Sequence, residues 1–377
     1  MIPVNEPMLT EREAEAVVEC VRSGWISSAG RFIDAFEQRW AEYCGRRYGV
    51  AVCNGTAALE LAVAALGIQP GDEVILPTFT IISCALAVVR AGGTVVLVDS
   101  SPRTWTMDVD AVARRITPRT KAVMAVHIYG HPADMDPILA LADRHGLAVI
   151  EDAAEAHGAE YRSRIPTPGT WRRCGTFGAV SCFSFYANKL ITTGEGGMVL
   201  TDDPALAERA RSLRNLCFQP SRRFYHETAG YNLRLTNLQA ALGVAQLERI
   251  DAIIGKKRWI GREYTARLRD LAGLDIQVEE PWARSVYWMY GIVVREETGM
   301  TAADAARALE QRGVETRPFF LGMHAQPVFR KRGWFLGEAF PAADRLARQG
   351  LYLPSGLALT PTQLDEVAGA VRAVVGS

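Results

Sequence analysis

Ser181-Cys-Phe-Ser-Phe-Tyr-Ala-Asn-Lys-Leu-Ile-Thr-Thr-Gly-Glu-Gly-Gly-Met198 is the most informative segment of this 377-residue chain. A strand of apolar and hydroxyl residues leads to one lysine, Lys189, and the glycines Gly194, Gly196 and Gly197 then allow the backbone to approach another group closely. A lysine in such a position can lose its proton by desolvation and form a Schiff base. A surface lysine that follows an edge strand is the alternative that this segment alone leaves open.

Around this segment, residues 55–200 alternate short apolar strands with amphipathic helices. This alternation predicts an α/β fold in which helices cover both faces of a mainly parallel sheet. The predicted strands are 50–53, 73–76, 94–99, 121–128, 147–151, 180–185 and 197–201. The predicted helices are 56–66, 80–91, 134–145 and one that begins at Asp203-Pro204.

The second half of the chain begins with a helix signal. Thr236 and Gln239 form a capping-box pattern, which predicts a long helix that continues to residue 268 and leaves the large domain. Later predicted elements are a strand at 285–295, a helix at 301–312 and a C-terminal helix that begins near 360. We therefore expect a large domain over 1–250 and a smaller α+β domain over 251–377.

Composition excludes several classes of protein. The 42 basic and 42 acidic side chains cancel, which argues against nonspecific binding to nucleic acid or to an anionic membrane. The N-terminus has no basic region ahead of an apolar stretch, and no apolar run reaches the roughly 20 residues of a membrane span. The seven cysteines form no CxxC pair, which argues against disulfides and metal sites. We expect a cytoplasmic protein with no bound metal.

Asp152 ends the apolar strand in Ala148-Val-Ile-Glu-Asp-Ala-Ala-Glu-Ala-His157. Ligands of doubly wound sheets bind outside the carboxyl ends of the strands, so an acid there is well placed for a site. A pyridoxal-phosphate (PLP) enzyme needs such a carboxylate, because it keeps the pyridine nitrogen protonated. An aspartate that merely caps a helix is the structural alternative.

A third signal is Asn54-Gly-Thr-Ala-Ala-Leu59, where a helix begins at the end of a strand. Free backbone N–H groups and the helix dipole favour a phosphate at that point. Many helices begin in this way, so the motif is weak alone. Three such signals in this order along an α/β chain nevertheless indicate a PLP site.

Five segments together resemble the sugar-nucleotide aminotransferases of the DegT/StrS type, and the resemblance covers nearly the whole chain. They are NGTAAL (54–59), EDAAEAHG (151–158), SFYANK (184–189), TGEGG (193–197) and GYNLRLTNLQAALG (230–243). The resemblance implies a fold-type I PLP-dependent transferase, similar to aspartate aminotransferase. Its large domain should contain a mainly parallel seven-stranded sheet, followed by the smaller α+β domain.

The same resemblance implies roles for individual residues. Lys189 would bind the cofactor covalently and later shuttle a proton, Asp152 would pair with the pyridine nitrogen, and Glu155 would lie by the ring hydroxyl. A dehydratase branch carries histidine at the lysine position, so Lys189 argues against that branch. Asn232 matches an asparagine contributed by the neighbouring subunit, which implies a homodimer with shared active sites. The Thr56 and Ala57 amides, with the Ser184 hydroxyl, would hold the phosphate, and Gly55 would also bind the cofactor.

Within the family, residues 25–33, 286–290 and 315–324 are most similar to the branch that forms GDP-perosamine. That similarity implies GDP-4-keto-6-deoxymannose as the substrate and L-glutamate as the amino donor. Candidate contacts to the nucleotide or the sugar are Arg31, Tyr225, Arg317 and His324, with a structural role for each as the alternative. Amination of a 3-keto sugar of the mycosamine type, amination of a TDP-keto sugar and a non-catalytic PLP-binding regulator remain open. An NAD-binding protein is disfavoured, since no GxGxxG follows the first strand.

Two features depart from the family pattern. The family usually stacks an aromatic ring on the cofactor at the position of Ile81, and an aliphatic side chain loses the roughly 0.5–1.5 kcal/mol of offset stacking. The segment 161–173 is longer and more basic than usual. We hypothesise that Arg172 and Arg173 face the substrate diphosphate, with a solvated loop as the alternative.

Overall fold

A seven-stranded sheet forms the centre of the molecule, in the order β1-β9-β8-β5-β4-β2-β3. The computed structural model describes residues 1–165, 169–219 and 221–376. Strand β9 runs antiparallel to both of its neighbours, while the other strand pairs are parallel. The predicted mainly parallel sheet is thus confirmed. The first nine strands are β1 (Tyr48–Val52), β2 (Glu73–Pro77), β3 (Thr94–Val98), β4 (Thr120–Val126), β5 (Ala148–Asp152), β6 (Glu160–Arg162), β7 (Trp171–Arg173), β8 (Val180–Ser184) and β9 (Gly197–Thr201).

Both faces of this sheet are covered. Val74 and Leu76 of β2 belong to the main apolar cluster, whereas Ile75 between them belongs to a second cluster on the opposite face. Alternation along a strand sends successive side chains to opposite faces, so an almost uninterrupted apolar strand fits a sheet between two layers. The helices of this part are α1 (Glu11–Ser23), α2 (Arg31–Cys44), α3 (Gly55–Ala65), α4 (Ser83–Arg90), α5 (Val109–Arg115), α6 (Met135–His145), α7 (Pro204–Arg214), α8 (Asn237–Leu247) and α9 (Ile250–Leu268).

The long helix predicted from Thr236 to residue 268 is wrong, because the chain forms two helices there. The capping box at Thr236 starts α8 as predicted, but α8 ends at Leu247 and α9 begins at Ile250. Arg249 lies between them with non-helical φ −123° and ψ 18°. Its guanidinium donates to the buried Glu13 carboxylate of α1 at 2.9 Å. The break lets α8 pack on α1, while α9 packs on the C-terminal helix.

Beyond α9, a four-stranded sheet has the order β10-β12-β14-β13. The strand predicted at 285–295 forms only at β12 (Tyr290–Val294), because Tyr287 takes a left-handed conformation with φ 47°. The remaining strands are β10 (Leu274–Ile276), β11 (Ala283–Arg284), which pairs with β6, β13 (Arg317–Pro318) and β14 (Gly350–Leu353). The remaining helices are α10 (Ala302–Glu310), α11 (Pro327–Arg330), α12 (Pro341–Gln349) and α13 (Pro361–Val375).

A separate apolar cluster supports this C-terminal part. Its buried members come from residues 260–375, together with Ile2 from the N-terminus. A core of its own supports a smaller α+β domain, while the exact boundary at 250/251 stays a prediction. None of the helices within 1–165, 169–219 and 221–376 combines the length and apolar character needed to cross a membrane.

Candidate active site

The carboxyl ends of the strands open into a cavity of about 470 Å³. Asp152 ends β5 and Ser184 ends β8, while Gly55 and Thr56 begin α3 directly after β1. Parallel strands place their carboxyl ends at one edge, which is why segments far apart in sequence meet here. Eight of the predicted site residues are Gly55, Thr56, Ala57, Ile81, Asp152, Glu155, Ser184 and Lys189, and all but Ala57 line this cavity.

Lys189 lies almost buried in the cavity wall, with 10% of its side chain exposed. Its Nζ is 3.9 Å from Oε1 of Glu155 and 3.7 Å from the centre of the Trp288 ring. Burial lowers the pKa of Lys189, and the negative charges of Glu155 and Asp152 oppose that shift. The lowered pKa increases the neutral fraction of this amine, which is the nucleophilic form.

Asp152 is buried, with 3% of its surface exposed. Its Oδ2 accepts a hydrogen bond from the Cys84 thiol at 3.0 Å, and its Oδ1 accepts one from the Ala154 amide at 3.1 Å. Burial and the nearby Asp152 charge raise the pKa of Cys84 well above its usual value, so the thiol keeps its proton and acts as the donor. These bonds fix the carboxylate at the cavity wall.

Glu155 brings a second carboxylate to the cavity. Its Oε2 accepts the Tyr129 amide at 2.7 Å. Burial raises the pKa of Glu155, while Lys189 and that amide oppose the shift. Two carboxylates therefore face one lysine, and the carboxylate that Lys189 does not neutralise suits a bound group with a positive ring nitrogen.

The start of α3 provides the predicted phosphate position. The first amides of a helix have no partner within the helix, and here they belong to Gly55 and Thr56. A Cβ on Gly55 would lie 2.6 Å from the Ser184 Cβ, so only glycine lets α3 and β8 come this close. The Ala57 amide instead donates to Asn54 Oδ1 at 2.8 Å, and this bond occupies the group predicted to hold phosphate.

Ile81 lies at the cavity mouth with 43% of its surface exposed. The structure therefore places an aliphatic side chain at the cavity, and its contact with the cofactor ring stays a prediction. Aromatic rings at other points of the wall belong to Tyr186, Trp288, Phe320 and Tyr352.

Ile81→Tyr should tighten binding of the cofactor's amine form, pyridoxamine phosphate, about two- to tenfold, because it restores stacking worth roughly 0.5–1.5 kcal/mol. Equilibrium dialysis of that form against apoprotein measures the dissociation constant without covalent capture. Ile81→Leu is the matched control and should leave the constant unchanged. An unchanged constant for the tyrosine variant would show that this position does not contact the cofactor ring.

The four predicted substrate residues lie outside the lining of the cavity. Arg31 pairs with Glu19, and Arg317 pairs with Glu315. His324 joins Thr78 to Asp344 through its two ring nitrogens, at 2.8 and 2.9 Å. Tyr225 and Asn232 are exposed elsewhere on the surface. Arg317 adjoins the cavity wall, since its register partner in β14 is the lining residue Tyr352.

The arginines of the basic segment have partners of their own. Arg172 donates to the Thr176 carbonyl and stacks on the Phe177 ring. Arg173 donates to the Tyr43 carbonyl and stacks on the ring of the same tyrosine. Neither lines the cavity. Residues 166–168 of this predicted loop lie outside the described residues. These contacts favour a structural role for both arginines over contact with a diphosphate.

Several cavity residues escaped the sequence analysis. Asn188, Trp288, Phe320 and Tyr352 line the cavity but were not named as site residues, although the segments of Trp288 and Phe320 were noted for similarity to one branch of the family. Cys84, which donates to Asp152 from outside the lining, was not named either. The buried Asn188 Oδ1 has no hydrogen-bond partner among the described residues, which suits a ligand at this wall. Its position next to Lys189 was the available signal.

A buried lysine beside two carboxylates, at the carboxyl edge of this sheet, defines a PLP-dependent transferase of fold type I. Residues 7–372 match the model of the DegT/DnrJ/EryC1/StrS aminotransferase family. The chain belongs to that family, and it is accordingly a PLP-dependent aminotransferase.

Relatives resemble the chain over nearly its full length. GDP-perosamine synthases of Caulobacter vibrioides and Escherichia coli O157:H7 are 43% and 41% identical, over 99% and 98% of this chain and 98% of each relative. A dTDP-3-amino-3,4,6-trideoxy-alpha-D-glucose transaminase of Streptomyces venezuelae is 40% identical over 96% of this chain and 91% of the relative. The crystal structure of S. venezuelae DesV with a ketimine intermediate superposes with a TM-score of 0.89, at 38% identity, covering 97% of this chain and 95% of that one.

Proposed function

We propose that this aminotransferase transfers the amino group of L-glutamate to GDP-4-keto-6-deoxymannose and so forms GDP-perosamine. The observation that carries the proposal is the 43% identity to a GDP-perosamine synthase over almost the whole of both chains. A TDP-keto sugar is the second candidate substrate, because the dTDP-sugar transaminase of S. venezuelae is 40% identical.

The cavity residues support specific roles. Bound PLP would supply an aldehyde carbon that takes up the amino group from the donor. Its ring would accept the electrons released at the reacting carbon. Lys189 would hold the cofactor and move a proton at its Nζ, since burial lowers the pKa of this amine. Asp152 would hold the proton on the ring nitrogen, and Glu155 would bind at the ring hydroxyl. Gly55, Thr56 and Ser184 would bind the phosphate.

A substrate panel tests the proposed function. The purified enzyme is incubated with L-glutamate and either GDP-4-keto-6-deoxymannose, its 3-keto isomer or a TDP-4-keto sugar. Mass spectrometry and NMR then identify the amino sugar and the position of its nitrogen. A 4-amino product from the GDP-4-keto sugar at the highest kcat/KM supports the proposal. Preference for the TDP sugar or the 3-keto isomer would identify that sugar as the substrate instead. The absence of product from every sugar would favour a non-catalytic PLP-binding regulator.

We further propose a homodimer in which Asn232 of one subunit completes the cavity of the other. Asn232 is exposed and lies outside the cavity lining in the single chain, which agrees with a role across an interface. Large apolar side chains are also exposed in nearby segments, namely Trp25, Ile26, Phe224, Tyr225 and Tyr231. Burial of such a patch by a second copy would stabilise the dimer.

Mixing two inactive variants should restore activity if the sites are shared. Lys189→Ala and Asn232→Ala should each be inactive alone, but a mixed dimer would have one intact site. Random reassortment after mild denaturation and refolding should recover about a quarter of wild-type activity. Each variant refolded alone serves as the control. No recovery from a mixture that mass spectrometry shows to contain mixed dimers would contradict shared sites.

Four predicted substrate contacts belong to the same proposal. Contacts to the nucleotide or the sugar would come from Arg31, Tyr225, Arg317 and His324. The cytoplasmic location stays a prediction from the sequence.

A further inference from the structure

Lys257 on α9 is a buried amine that the proposed chemistry does not use. Only 2% of its surface is exposed. Its Nζ donates to the carbonyls of Trp288 at 2.6 Å and Ser355 at 2.5 Å, and no carboxylate pairs with it in the part of the chain that the structure describes. Burial lowers the pKa of Lys257 to about 7. A buried amine without a carboxylate is costly, so its contacts call for an explanation.

One of those contacts leads directly to Lys189. The Trp288 ring lies 3.7 Å from Lys189 Nζ, and its indole N–H donates to the Asn188 carbonyl at 2.8 Å. Lys257 thus holds the backbone end of Trp288, while Asn188 holds the indole end. The Trp288 ring lies between these two contacts and packs against the Lys189 amine.

The backbone around Trp288 has little regular structure to fix it. Residues 285–289 precede β12, and Tyr287 has a left-handed φ of 47°. Ser355, the second acceptor, receives the Tyr290 amide on its Oγ at 2.9 Å. Lys257 therefore ties the segment before β12 to the segment after β14, at the point where both approach the cavity.

We propose that Lys257 is a positioning residue, which sets the Trp288 indole against Lys189 and thereby orients the Lys189 amine for covalent capture of PLP. The inference rests on the proposed role of Lys189. Lys257 lies outside the cavity lining. Its replacement should nevertheless change the rate at which the Lys189 amine reacts with the cofactor.

The test measures the rate at which apoprotein captures PLP covalently, by visible absorbance and by borohydride trapping of the labelled lysine. Lys257→Met, of similar length but without a donor, should slow capture about tenfold or more, since a misplacement near 1 Å can cost far more. Lys256→Met is the matched control. Lys256 is the neighbour on α9, donates to the Leu359 carbonyl at 2.7 Å and lies over Trp259, away from Lys189. Its variant should capture PLP within about twofold of wild type.

A double-mutant cycle separates positioning from a general structural role. Trp288→Phe should also slow capture, and adding Lys257→Met to it should cost no further slowing, because both changes act through the indole. Thermal melting of each apoprotein is measured first. Should the methionine variant not fold, Lys257→Gln takes its place in the same cycle.

Two outcomes overturn the inference. One is capture at the wild-type rate by the folded Lys257 variant or by Trp288→Phe. The other is a double variant whose slowing is the product of the two single effects. Wild-type protein that captures no PLP at Lys189 would instead overturn the proposed function, so the two failures are distinguishable.

Discussion

Lys189→Ala should fold normally and show no measurable transamination. The expected loss in kcat exceeds about 10⁴-fold, because general acid–base catalysis alone contributes about 10²–10⁴-fold and the covalent attachment is lost as well. No other lysine among the described residues lines this cavity. Burial lowers the pKa of this amine, and water or an exposed lysine would not reproduce that property.

Lys189→Arg is the stringent companion variant. It keeps a positive charge beside Glu155 but cannot be deprotonated or attach to an aldehyde, so it should be as inactive as the alanine variant. Lys121→Ala, at an exposed lysine on β4, is the control and should be fully active. Initial rates, visible absorbance and melting temperature are measured for all three. Turnover above about 1% of wild type in the alanine variant would remove Lys189 from its proposed role.

The cofactor half of the site could be predicted from the sequence, since it follows from local patterns. Asp152 ends an apolar strand and Gly55 begins a helix directly after another strand, so local patterns tied both to one edge of a parallel sheet. The role of Ser184 was implied by the family resemblance. Geometry then required these residues to meet. Lys189 follows Ser184 by five residues, which brings it to the same edge.

The rest of the cavity wall depends on packing between segments that are distant in sequence. Trp288, Phe320 and Tyr352 reach the cavity from the C-terminal part, where the strands are short and no local pattern marks their direction. The break between α8 and α9 escaped prediction for a similar reason. No glycine or proline marks Arg249, and its bond to the buried Glu13 is a tertiary contact.

Asp152→Asn should reduce kcat by about 10²–10⁴-fold while the protein still captures PLP at Lys189. The side chain keeps its shape, but a neutral amide cannot stabilise a proton on the ring nitrogen, so the reacting carbon loses its electron acceptor. Single-turnover rates with L-glutamate measure the chemical step. Wild-type single-turnover rates in the asparagine variant would place the ring nitrogen elsewhere in the cavity.

Glu151, the preceding residue, provides the internal control for this prediction. Neighbouring strand residues point to opposite faces, and the Glu151 carboxylate accepts the amides of Gly175, Phe177 and Gly178 at 2.6–2.7 Å, away from the cavity. Glu151→Gln should therefore lower the free energy of unfolding by about 3 kcal/mol, because it breaks a buried charged network. Its single-turnover rate, measured below its melting temperature, should stay within about twofold of wild type. The two substitutions thus test whether catalysis depends on the carboxylate that faces the cavity or on any buried acid of β5.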